Sequence, residues 1–239
     1  MIKCSCKKFP KKYESDLKKL LNQKKSLAGK VTNLWQPNKK IKIFFETSEK
    51  ELIEEILFVA NEWSNYSSIK FVYEKNLKKA DIHLTLKKDF GFYSAIGLQS
   101  KVLLSKNKPS MNLDPNWGLE KGFSEKNNFK FKYCKAMVIH EFGHALGFIH
   151  EHQREDRPFE FNIDYIKNNY LKMGMPSYKA AVENIIKKYS INRINYSDFD
   201  YKSIMIYPFK GKETLQKISI EIPLELSKND KNKVGKIYN

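Results

Sequence analysis

The order of apolar and polar positions divides the chain into a first half of readable elements and a looser second half. "KIKIFFE" (40–46) alternates with period two, the pattern of a strand with one buried face. "IKFVYE" (69–74) and "ADIHLTL" (80–86) read as two more strands. Between the first two, Leu52, Ile56, Val59 and Trp63 recur at helical spacing, and Ser48 followed by Glu51 has the form of a capping box. "GFYSAIG" (91–97), bounded by glycines, predicts an edge strand, and "PSMNLDP" (109–115) a short strand between prolines. "FKYCKAMVIHEFGHALG" (131–147) predicts a helix that stops at Gly147. Further helices are predicted over 163–172 and 177–189, and Ser227 with Asp230 predicts a second capping box before the C-terminus. Strand, helix, strand, strand implies a mixed sheet packed on helices, an α+β architecture.

Composition narrows this picture little. The 239 residues suffice for one large domain or two lobes sharing a core. The purely apolar run "ILFVA" (56–60) is far shorter than the roughly 20 residues a bilayer span needs, so no transmembrane segment is expected. Residues 1–35 are lysine-dense and read as a basic N-terminal extension, with Leu17, Leu20 and Leu21 marking a short amphipathic helix. The N-terminus has positive charge but no apolar core, so a Sec-type signal is not expected. Export or injection by a non-classical route, or a cytoplasmic location, is the expectation. Cys4, Cys6 and Cys134 are too few for a disulfide framework.

The formal net charge of +17 points towards anionic partners. Only Arg154, Arg157 and Arg193 are arginines, however, and nucleic-acid readers lean on arginine for bidentate contacts. A well-solvated lysine surface is expected, with no nucleic acid as partner.

The chemistry is concentrated in "HEFGHALGFIHE" (140–151). His140 and His144 lie four residues apart, so on a helix both imidazoles leave the same face and can share one ion. Gly147 can end the helix and turn the chain, which brings His150 back as a third ligand. Three neutral imidazoles leave one position of a tetrahedral Zn2+ for water. Glu141, one step round the helix, is placed to take that water's proton and pass it to a leaving amine. The bland alternative, a helix whose histidines make ordinary hydrogen bonds, fits a lone histidine better than four within residues 140–152.

These residues carry the extended zinc motif of the metzincin proteases, and the run "HEFGHALGFIHEHQREDRP" resembles the astacin-like zinc metalloproteases, departing from their pattern at Pro158. "FDYKSIMIYPF" (199–209) is similar to their Met-turn, with Ile206 in place of a histidine. The flanking "ADIHLTL", "GFYSAIG", "PSMNLD" and "LSKNDKNKVGKIYN" resemble the frame of a bacterial, disulfide-free branch.

The resemblance implies a metzincin-like zincin fold over residues 36–239. An upper lobe (36–147) holds a twisted mixed five-stranded sheet with two long helices, and a lower lobe (148–239) is irregular and mostly helical. It implies one catalytic Zn2+ on His140, His144 and His150, with Tyr207 as a further ligand that turns to stabilise the oxyanion. Met205 lies beneath the ion, Glu151 contacts a group near the site, and Gly147 makes the turn. Tyr93, Ala95 and Ile96 form the edge that binds an extended peptide. The implied function is a zinc-dependent endopeptidase with Glu141 as general base, acting on protein or peptide substrates as a monomer, and a bacterial effector in setting. The alternative is a catalytically silent zinc-bound protein-binding module, and the presence of Glu141 argues against it.

Lys210 and Lys212 suggest an acidic residue after the cut, and a thiolate from Cys4 or Cys6 is a candidate cap on the ion. His83 is expected to hydrogen-bond and His152 to be exposed or near the site. Tyr133, Tyr201, Trp117 and Cys134 are expected to pack.

Overall fold

The computed structural model describes residues 10–23, 33–117, 129–189 and 198–239. Cys4, Cys6, Arg193 and the Trp117 side chain lie outside the described part. Five strands form one mixed sheet: β1 (Lys40–Phe45), β2 (Lys70–Tyr73), β3 (Ile82–Thr85), β4 (Tyr93–Ser94) and β5 (Met111–Asn112), in the order β2-β1-β3-β5-β4. All pairings are parallel except β4 with β5, so the edge strand runs against the rest.

Register sets which residues share a face. Ile43 pairs with Ile82 and Phe45 with Leu84, and Ile41 pairs with Phe71. All six are buried. Phe71 meets the ring of Phe142 edge-on at 4.7 Å, so this face packs on α4 (Phe129–Ala145). α2 (Lys50–Ala60) lies on the same side, turning Ile53, Ile56 and Val59 inwards. The expected capping box at Ser48 and Glu51 does not form. The N-cap is Glu49, and its N–H bonds the Thr47 hydroxyl at 3.2 Å.

The reverse face carries Asp81, His83 and Thr85, and α3 (Gln99–Ser105), which the hydrophobic pattern did not reveal, covers it through Lys101 and Asp81 at 3.0 Å. His83 meets Glu46 at 2.8 Å, as a hydrogen-bonding histidine should. The N-terminal helix α1 (Glu14–Gln23) packs back on α3, with Asp16 bound to Lys106 at 3.0 Å and Leu21 buried.

Trp63 ties the layers together. Its indole N–H donates to Ile139 O of α4 at 2.9 Å, and its ring stacks on Phe148 at 5.3 Å. Among the described residues beyond α4, the α-helices before α7 (Lys228–Tyr238) are the short α5 (Ile163–Asn169) and α6 (Tyr178–Ala181). Tyr201, expected to pack, is 41% exposed and touches only the edge of Phe199 among the described rings.

α7 starts with the predicted capping box: Ser227 Oγ accepts from Asp230 N, and Asp230 Oδ2 accepts from Ser227 N. The same carboxylate reaches out of the helix to Ser203 Oγ and Ile204 N, both at 2.7 Å. One turn on, Lys233 Nζ lies 3.2 Å from Glu151 Oε2. Glu151 Oε1 receives Arg154 Nη1 at 2.8 Å and the Asp200 N–H at 3.1 Å. Lys233, Glu151 and Arg154 are all buried. Removing one partner of a buried ion pair costs about 3–5 kcal/mol, because the remaining charge stays desolvated. Arg154 still meets Glu151 in Lys233→Met, so the expected loss is about 2–3 kcal/mol, read as a lower urea midpoint. Glu151→Gln combined with Lys233→Met should recover part of it, since Arg154 keeps Asp156 at 2.7 and 2.8 Å and no orphaned charge remains. Simple addition of the two single losses would show that the residues are not coupled.

Candidate metal centre

α4 delivers His140 and His144 from one face, with ring centroids 4.7 Å apart. Gly143 between them is required by packing: a Cβ there would stand 2.4 Å from Met205 Sδ and 3.0 Å from the Trp63 ring. The methionine of the second motif therefore lies directly against the ligand helix. At Gly147 φ is +104°, a value that β-carbon sterics disfavour, and the chain reverses there. An added Cβ at that position would also meet Leu34 Cδ2 at 2.7 Å. The reversal carries Phe148 O to His144 Nδ1 at 2.8 Å and brings His150 within 4.7 Å of the His144 ring.

Each imidazole is held from behind. His140 Nδ1 donates to Ile204 O at 2.7 Å, and His144 Nδ1 to Phe148 O. His150 Nδ1 donates to Gln153 Oε1 at 3.0 Å. Gln153 is oriented for this, because its amide nitrogen donates to Glu183 O at 2.7 Å. Carbonyl acceptors fix the proton on Nδ1 of each ring and leave a lone pair on each Nε2. The His144 and His150 Nε2 atoms then face each other at 3.2 Å with both protons on the far side of the rings. His140 Nε2 is buried with no hydrogen-bond partner among the described residues. The ligand atoms of the three histidines all lie within 4.8 Å of one another.

Two lone pairs at this distance repel unless a cation sits between them. Two nitrogens at about 2.0–2.1 Å from one tetrahedral Zn2+ stand about 3.3 Å apart. The donor set and its spacing therefore fit zinc.

Burial also keeps the rings neutral, as ligands must be. It lowers His140 to about 4 against the pull of the Ile204 carbonyl. Burial, with the neighbouring His140, lowers His144 to about 3. His150 is held well below the usual value by burial and then by His144, His152 and His140.

The other predicted residues fall around this group. Glu141 is fully buried one position on from His140. The Tyr207 ring centroid is 4.3 Å from that of His150 and 6.2 Å from that of His140. Glu151 N–H donates to Met205 O at 3.0 Å, which locks the third-ligand segment to the methionine segment. His152 is fully buried: Nε2 bonds Asn184 O at 3.0 Å, and its ring lies 4.5 Å from Tyr207. Tyr93 and Ala95 are buried in or beside edge strand β4, and Ile96 is partly exposed. The Ala95 N–H is spent on Ser110 O at 2.8 Å and the Ile96 N–H on Gln99 Oε1 at 3.1 Å.

A small apolar cavity of about 30 Å³ opens beside His140, lined by Ala136, Met137, Ile206, Pro208 and Ile222. Lys210 and Lys212 do not line it, and Lys212 Nζ sits 5.3 Å from the Tyr165 ring. Sequence reasoning missed Gln153, Gly143 and the Ile204 carbonyl. "HEHQ" places Gln153 three residues after His150, which is a signal of a side-chain partner, whereas a main-chain acceptor 64 residues away leaves none.

Comparison with known proteins agrees with this geometry. The peptidase family Astacin matches residues 129–238. Zinc metalloproteinase nas-13 of Caenorhabditis elegans is 31% identical over 116 residues, covering 44% of this chain and 24% of the relative. Zinc metalloproteinase nas-4 of the same organism is 27% identical, covering 96% of this chain and 66% of the relative. The chain thus spans from about a quarter to two thirds of the length of these curated relatives. Among solved structures, myroilysin aligns with a TM-score of 0.71 at 28% identity, over 86% of this chain and 95% of that one. A three-histidine group on a helix ending at Gly147, a methionine packed beneath it and these matches show that the chain carries an astacin peptidase-family domain over residues 129–238.

Proposed function

We propose that the protein is a zinc-dependent endopeptidase with Glu141 as its general base. The observation that carries this is the inward convergence of three imidazole lone pairs, each ring fixed by a carbonyl behind it. His140, His144 and His150 would hold a zinc ion, which would supply Lewis acidity towards water and a scissile carbonyl. Glu141, carried by the same helix as two ligands, takes the proton of the attacking water and delivers it to the leaving nitrogen as the C–N bond breaks. Tyr207 donates its phenolic hydrogen to the developing oxyanion, and in the resting site it is a candidate further ligand. Met205 and Gly147 set the floor and the turn, and Glu151 anchors the third ligand.

An extended substrate pairs with the edge at Tyr93, Ala95 and Ile96, which requires the buried strand to be uncovered. The division into an upper lobe at 36–147 and a lower lobe at 148–239, monomeric action, and release from a bacterial cell as an effector belong to the same proposal.

The first test compares zinc content and peptide-library cleavage of wild type with Glu141→Gln and His140→Ala. One equivalent of zinc in wild type and Glu141→Gln, with cleavage at least 100-fold weaker in the latter, is expected, since a positioned general base contributes about 10²–10⁴-fold. His140→Ala should lose the metal. Zinc in both proteins with no cleavage in either would favour a silent zinc-bound module.

The cavity beside His140 supports a small apolar side chain, such as alanine or valine, after the cut rather than an acidic one. Met137→Ala should shift the library preference towards leucine or phenylalanine. An unchanged preference would mean that this cavity does not receive the substrate.

A further inference from the structure

The buried carboxylate of Asp81 has no part in the zinc site, and the lysines around it form a second concave feature. Asp81 Oδ2 accepts the Lys42 N–H at 3.0 Å and Lys39 Nζ at 2.9 Å, and Oδ1 meets Lys101 Nζ at 3.0 Å. Burial alone would raise this carboxyl, but these donors hold it below its ordinary value, so it stays ionised. It draws Lys39, just before β1, and Lys101 of α3 to one rim. Lys78 and Lys79, on the turn before β3, complete the wall of a hollow of about 870 Å³. Neither makes an ion pair within 4 Å among the described residues. Five lysines therefore face Asp81 and the Glu74 that meets Lys42 at 3.4 Å, an excess of three positive charges.

The lining determines what this charge can recognise. Among the described residues no arginine contributes, so planar bidentate pairing is absent, and lysine ammonium groups act as point charges for phosphate. No aromatic ring among them lines the hollow either, so a nucleobase would find no stacking platform. The volume falls in the range of small-molecule sites, about 300–1,000 Å³. An acidic peptide carries at most one charge per residue, about 3.3 Å of chain, whereas a compact polyphosphate concentrates several charges within the hollow. We infer that the hollow between β1, the 77–79 turn and α3 binds a compact, soluble, multiply phosphorylated small molecule. No residue is shared with the zinc site, so this inference stands independently of the peptidase reading.

Isothermal titration at physiological salt, with inorganic tripolyphosphate and inositol hexakisphosphate as probes, tests it on the full chain. One site per chain is expected, with affinity at least tenfold weaker in Lys78→Gln/Lys79→Gln. Affinity should stay within twofold in Lys172→Gln/Lys179→Gln, which removes the same charge from exposed positions outside the hollow. Unchanged thermal melts of both variants without ligand would establish that any loss is local. Equal weakening in both pairs, several equivalents bound, or no binding would overturn the inference, the first two by showing diffuse attraction to a +17 chain. Vesicles carrying a phosphoinositide separate the two sources of clustered phosphate. Displacement of the protein from them by tripolyphosphate is expected, and capture that soluble polyphosphate does not compete would instead assign a lipid surface.

Discussion

The hydrogen bond from His140 Nδ1 to the Ile204 carbonyl joins the ligand helix to a segment 64 residues further on. It fixes which ring nitrogen carries the proton and therefore which one faces the ion. The same short segment has its N–H held by Asp230 and its next residue pressed against Gly143. Displacing it would disturb the tautomer of one ligand, the floor of the site and the start of α7 together. The other two ligands repeat the principle with Phe148 O and Gln153 Oε1. The geometry of the three ligands depends as much on carbonyls behind the rings as on the rings themselves.

Burial makes the arrangement costly without its partners. All three imidazoles are held neutral by desolvation, and the carboxylates of Glu151 and Asp230 are also buried. Each of these carboxylates meets several donors, and α7 joins the two: Asp230 faces the Met205 segment and Lys233 faces Glu151. A helix that contributes no ligand thereby holds the two backbone segments that shape the site. Its own start is secured by the capping box at Ser227, so local helix capping and site geometry share one carboxylate.

Much of this was legible beforehand. Period-two alternation placed β1, whose alternate positions are buried, and the segment ending at Gly147 was read as the helix α4. Three histidines at offsets of zero, four and ten with a following glycine predicted a metal site, and a structure with all three ligands within 4.8 Å agrees. The failures share a cause. α3 was hidden because its buried positions include Ser100, and the Ser48 capping box does not form because the helix starts one residue later, with Glu49 as N-cap. Lys210 and Lys212 suggested a pocket for an acidic side chain, yet neither lysine lines the cavity beside His140.

The sequence by itself determined the ligand types, their helical spacing and the reversal at Gly147, because these follow from local periodicity and backbone sterics. Only the tertiary structure decided which carbonyl meets which imidazole, which lysines gather round Asp81, and which helix braces Glu151. Those contacts join residues tens of positions apart, through main-chain groups that every residue carries and lysines that recur throughout the chain, so no local pattern of side chains can announce them.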